Sequence, residues 1–97
     1  MEVRWEDESG TVLETVGDPP HGLMSFLTPD RWANTFCLRF IDPYGDTVFN
    51  QLQIPVLEKE LAALVSEPGA PRAIGDLLRL IGKSKGTHHT YIRFFGD

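Results

Sequence analysis

The densest group of residues able to do chemistry is the turn Asp42-Pro43-Tyr44-Gly45-Asp46, followed closely by Asn50, Gln51 and Gln53. Two carboxylates four residues apart can bind a cation or act as an acid and base pair, with Arg39, Arg93 and the histidines as polar partners. A calcium loop needs more oxygen ligands than this spacing supplies, however, and acid and base catalysis needs a cleft that a sequence does not display. The plainer role of both aspartates is to accept hydrogen bonds from the N–H groups of the turn itself. His88 and His89 are adjacent, so on a strand they face opposite ways, and His21 or a carboxylate would have to complete a zinc site. Cys37, the single cysteine, falls in the middle of a predicted strand, which is the setting of a buried, inert thiol and not of an activated thiolate. No Gly-rich phosphate loop, nucleophile elbow, zinc-ligand spacing or basic aromatic nucleic-acid motif occurs. The residues call for no metal, no cofactor and no catalytic group.

A second group is acidic. Residues 1–30 hold Glu2, Glu6, Asp7, Glu8, Glu14, Asp18 and Asp30 against Arg4 alone, whereas residues 70–97 hold Arg72, Arg79, Lys83, Lys85 and Arg93 against Asp76 and Asp97. With a net charge of −5 concentrated at the front, the chain is unsuited to nucleic-acid backbones and suited to a basic protein partner. The plain alternative is a solvated surface that keeps the protein soluble. The residues expected to carry binding are Glu6, Asp7, Glu8, Glu14, Asp18, His21, Asp42, Tyr44 and Asp46.

The elements that must position these residues read as follows. Val3 and Trp5 alternate with charged residues, and Val12, Glu14 and Val16 alternate in turn, with Asp7-Glu8-Ser9-Gly10 between them as the turn of a hairpin closed by Gly10. Gly17 to Gly22, with Pro19 and Pro20, is a loop. Thr28-Pro29-Asp30 resembles a helix start running through Trp32, and Leu23, Met24, Phe26, Leu27 and Trp32 either fold over the sheet edge into the core or offer an apolar patch to a partner. Phe36, Leu38 and Phe40 alternate with Cys37, Arg39 and Ile41, which predicts a strand paired through the aspartate turn with Thr47-Val48-Phe49.

Two helices follow, from Pro55 to Ser66 with Leu57, Leu61, Leu64 and Val65 on one face, and from Pro71 to Ile81 with Ile74, Leu77, Leu78 and Ile81 on one face and Gly82 as C-cap. Thr87 to Phe95 returns to strand. The expected fold is one α+β domain over residues 1–97, an antiparallel sheet of about five strands with an antiparallel helix pair on one face, in the order ββββααβ. Its core should hold Leu38, Phe40, Leu61, Leu77, Leu78, Ile92 and Phe94, with Arg39 and Arg93 on the opposite sheet face. At 97 residues with 41% hydrophobic and 24% charged side chains, the chain has the composition of one globular domain. It offers no apolar run of membrane-spanning length. Met1 to Glu6 carries neither a basic region nor an apolar stretch, so no signal peptide is expected, and with one cysteine the reading is a cytoplasmic protein.

The segment Cys37 to Asn50, CLRFIDPYGDTVFN, together with the terminal Arg93-Phe94-Phe95-Gly96-Asp97, resembles a group of small uncharacterised bacterial proteins. The resemblance covers the chain from about Phe36 onward and implies a bacterial cytosolic origin. In size and charge the chain is also similar to immunity proteins of polymorphic toxin systems. Two functions follow as expectations. One is a non-catalytic protein-binding module, an immunity-type inhibitor of a bacterial toxin, engaging its partner through the acidic hairpin and the proline-rich loop. The alternative is a small-molecule-binding protein or enzyme using the Asp42 to Asp46 turn with the nearby arginines and histidines.

Overall fold

A computed structural model describes residues 1–17 and 22–96. The N-terminal hairpin forms as its alternation requires, with β1 over Glu2–Asp7 and β2 over Val12–Gly17. Gly10 closes it at φ 87°, a conformation that costs an L side chain but not glycine. Two short helices follow, α1 over Leu23–Phe26 and α2 over Pro29–Trp32, the second entered through extended Thr28 and the proline of its first turn. After a 3-10 turn at Leu38–Phe40 come β3 (Asp46–Phe49), α3 (Ile54–Leu64), α4 (Arg72–Ser84) and β4 (Thr90–Phe95). The fold is α+β with one antiparallel sheet of four strands in the order β2-β1-β4-β3.

One face of the sheet meets the helices. Val3, Ile92, Phe94 and Phe49 are buried there with Leu57, Leu61, Leu64, Ile74, Leu77, Leu80 and Ile81 of the helix pair. Phe94 and Phe49 meet edge to face with centroids 5.7 Å apart, a favourable quadrupole arrangement beyond simple area burial. The helix faces follow their apolar spacing, except that Val65 lies beyond the end of α3 and is exposed, and Leu78 is only partly buried. Helix α4 runs through Gly82 to Ser84, so Gly82 is not its cap; no proline follows to stop it, and the Ser84 hydroxyl donates back to the Ile81 carbonyl at 2.7 Å. Leu23 and Leu27 join the core, with Met24, Phe26 and Trp32 packed against it, which is the folded alternative for that apolar segment. The guanidinium of Arg31 binds α1 to α2. Its Nη1 donates to the Phe26 carbonyl at 3.1 Å, and its Cζ lies 4.1 Å from the centre of the Phe26 ring.

The main departure from expectation is the stretch from Thr35 to Ile41, which is not a strand. Its buried residues are Cys37, Leu38 and Ile41, the i, i+1, i+4 spacing of a helical turn and not the alternation of a strand, and Phe36 and Phe40 are exposed at 74% and 61%. The physical cause is Glu60, half-buried on α3. One carboxylate oxygen accepts the Phe36 N–H at 2.6 Å, and the other accepts the N–H groups of Cys37 and Leu38 at 3.0 and 3.1 Å. Three consecutive amides converging on one carboxylate cannot also alternate between the two edges of a strand. Phe40 is therefore outside the core, Arg39 is not on the sheet, and the described residues form four strands and not five, in the order ββααβααβ.

Candidate functional site on the open face of the sheet

The second face of the sheet is covered by no helix among the described residues. Across it run the rows Glu2–Phe95–Asp46, Thr15–Arg4–Arg93–Val48 and Val12–Glu6–Tyr91. Arg93 faces away from the helices as expected, but its neighbour on this face is Arg4, not Arg39. Each of the two cations is paired with carboxylates. Arg93 Nε donates to Glu6 Oε1 at 3.0 Å and Nη1 lies 3.7 Å from Asp46 Oδ2, while Arg4 Nε donates to Glu2. The Phe95 ring lies beside both, with guanidinium carbons 4.4 Å (Arg4) and 5.7 Å (Arg93) from its centre.

A bulge in the hairpin shapes one end of this face. Trp5 pairs with Glu14 and Glu6 with Val12, so Leu13 is an extra residue, and Val12 is turned to the face opposite Glu14 and Val16. Val12, Leu13 and Val48 are exposed at 42–43%. Beside them Glu6, Asp7, Glu8, Val48, Tyr91 and Arg93 line a shallow trough of about 440 Å³.

The acidic residues differ sharply in what they do. Glu6 is buried at 6% and paired with Arg93, an ion pair set by the sheet. Asp7 is a turn cap: its Oδ1 accepts the Ser9 hydroxyl at 2.7 Å, the Ser9 N–H at 3.0 Å and the Thr11 N–H at 2.9 Å. These bonds, the Ser9 hydroxyl foremost, hold its carboxyl below the ordinary value of 3.8. Glu8 is exposed, with its Oε2 3.9 Å from His89 Nδ1. Glu14 turns to the helix side and pairs with Lys83 of α4 at 2.8 Å. Asp18 and His21 lie outside the described residues.

The aspartate turn is built as a turn. Asp42 Oδ1 accepts the Tyr44 N–H at 2.8 Å, the Thr47 hydroxyl accepts the Asp42 N–H at 3.0 Å, and Gly96 donates its N–H to the Gly45 carbonyl at 2.8 Å. Tyr44 projects into solvent at 85% exposure. Asp46 joins Arg93 on the open face, but Arg39 does not reach it. The two histidines precede β4, in a turn where His89 takes φ 58°, whereas Asp46 pairs with Phe95 at the other end of that strand. At ~3.3 Å per residue, Thr90 to Phe95 separates them by roughly 17 Å. The histidines and the aspartate turn thus do not share a site.

Cys37 is buried at 4%, with its Sγ 3.7 Å from the Gln53 carbonyl. Burial first, and the Glu60 carboxylate second, push its thiol pKa up, which keeps it protonated and unreactive. No group of three His, Cys, Asp or Glu side chains among the described residues is placed to hold a metal ion, and no helix among them is long and apolar enough to cross a membrane. Glu60 and Arg4 were not legible as organising residues. A glutamate on the polar side of a helix and an arginine in a charged strand look like ordinary surface, and only the fold gives them partners. No protein-family model, curated protein or solved structure matches this chain.

Proposed function

We propose that the chain is a non-catalytic protein-binding module, an immunity-type inhibitor of a basic toxin or nuclease in a bacterial cytoplasm, which engages its partner over the open face of the sheet. The observation that carries this reading is the open face itself, a surface that no helix of the described residues covers, with exposed Val12, Leu13 and Val48 beside the acids Glu8, Asp46 and Glu2. Apolar centres flanked by charge are the ordinary anatomy of a protein interface. The hairpin's turn, tied by Asp7, and its pairing of β1 with β4 support this use, since a surface already held by hydrogen bonds has less to order on binding. The attraction falls to Glu8 and Asp46 rather than to the whole acidic hairpin, because these two are exposed, Asp46 only loosely paired with Arg93 at 3.7 Å, whereas Glu6 is buried and Asp7 caps the turn.

The test is association kinetics with the product of a neighbouring toxin gene, over a salt series, for the parent and a Glu8→Gln/Asp46→Asn variant. Exposed charges are screened over about 8–10 Å at physiological salt and act mainly on encounter. Salt and the double substitution should therefore both slow association more than they change dissociation. Equal, salt-independent association rates in the two proteins reject the reading.

A further inference from the structure

Away from the open face, the 3-10 turn and the two short helices enclose a concavity of about 370 Å³. Buried Leu27, Leu38 and Ile41 and half-buried Met24 and Trp32 line it, and Arg39 is its one charged lining residue among the described residues. Arg4, Arg31, Arg79 and Arg93 each have a carboxylate within 4 Å, whereas among the described residues Arg39 and Arg72 have none. Of these two only Arg39 borders the concavity, where it rests over the exposed Phe40 ring with its Cζ 4.8 Å from the centroid. In a chain with an excess of acids, a cation left without one at the edge of an apolar concavity is set for an anion brought from outside.

We propose that this concavity binds a small apolar monocarboxylate, with the hydrocarbon against Leu27, Leu38, Ile41, Met24 and Trp32 and the carboxylate on the Arg39 guanidinium. At about 30 Å³ for a water-sized group, the volume admits roughly a dozen heavy atoms, the size of an arylacetic acid. A guanidinium recognises a carboxylate through parallel N–H donors, and its weak hydration makes it the cation best suited to a partly apolar setting. This site is independent of the open face, because its lining residues belong to α1, α2 and the stretch around the 3-10 turn and none to the sheet.

The experiment is a titration of the ¹⁵N-labelled chain with phenylacetate, followed by amide shifts, with phenylacetamide as the uncharged analogue of the same shape. Phenylacetate should give saturable shifts clustered at Met24, Leu27, Leu38 and Ile41 with a dissociation constant of order 1 mM, as its size allows. Phenylacetamide should bind about tenfold more weakly, and Arg39→Gln should weaken phenylacetate by a similar factor, since each removes one charge-assisted contact. Arg39 is exposed, so the variant's remaining spectrum should superpose on the parent's. Shifts that do not saturate, shifts centred on the open face, or equal binding of acid and amide by the parent protein each overturn the proposal. The last comparison needs no variant.

Discussion

Replacing Glu60 by alanine should release the stretch from Phe36 to Leu38 and cost a large share of the stability. The carboxylate accepts three backbone N–H groups, at 2.6, 3.0 and 3.1 Å, from residues more than twenty positions away. A hydrogen bond to a charged group contributes about 1.5–3 kcal/mol, and a buried donor left unpaired costs about 1–3 kcal/mol. The three do not add, because Phe36 is exposed and its freed N–H can turn to water, whereas Cys37 and Leu38 are buried. An expected loss of about 2–4 kcal/mol follows, against the ~5–15 kcal/mol typical of a whole domain. For a chain of this size that corresponds to a fall in Tm of roughly 8–30 °C. Glu60→Gln keeps one acceptor oxygen and should lose about half as much. Urea melts measure the loss, and Cys37 supplies a local probe, since a thiol kept unreactive by burial and by Glu60 should label faster with a disulfide reagent once the turn opens. An alanine variant with unchanged urea midpoint and unchanged Cys37 labelling would show that the carboxylate does not hold the turn.

Three further outcomes are expected. Phe94→Ala, at a fully buried site beside Phe49, should cost about 3–5 kcal/mol in urea unfolding, and Phe40→Ala, 61% exposed, less than about 1 kcal/mol; similar losses at both sites would contradict the core assignment. Gly75→Ala has open space for its Cβ in α4 and should raise stability by about 1 kcal/mol, whereas at Gly96 a Cβ would fall 2.4 Å from the Gly45 nitrogen and 2.6 Å from its carbonyl oxygen, so Gly96→Ala should lower Tm. Asp7 has a folded pKa below its ordinary 3.8, so its contribution is present above pH 3.8 and is lost as the pH falls through the folded value; amide shifts of Ser9 and Thr11 should titrate with a midpoint below 3.8, and a midpoint at or above it refutes the capping role.

Local chemistry was enough to specify the elements whose signals are local. The N-terminal hairpin, the proline entry at Thr28–Pro29, the two long helices with their leucine and isoleucine faces, and the terminal strand all follow from side-chain periodicity, proline and glycine. The capping of the Asp42 turn followed from aspartate chemistry alone. Periodicity could not decide the stretch from Thr35 to Ile41, because Phe36, Cys37, Leu38, Phe40 and Ile41 are all apolar and so supply residues for either a strand face or a helical turn. The outcome depended on Glu60, twenty-odd residues downstream, which offers its carboxylate to three amides only once α3 has docked. Docking also separated acids that look equivalent in the sequence. Glu6 became half of a buried ion pair, Asp7 a turn cap, Glu14 a tie to α4 and Glu8 an exposed charge beside His89. A charge shows its sign in the sequence, but its partner and its solvent are set by chain segments that meet only in the folded protein.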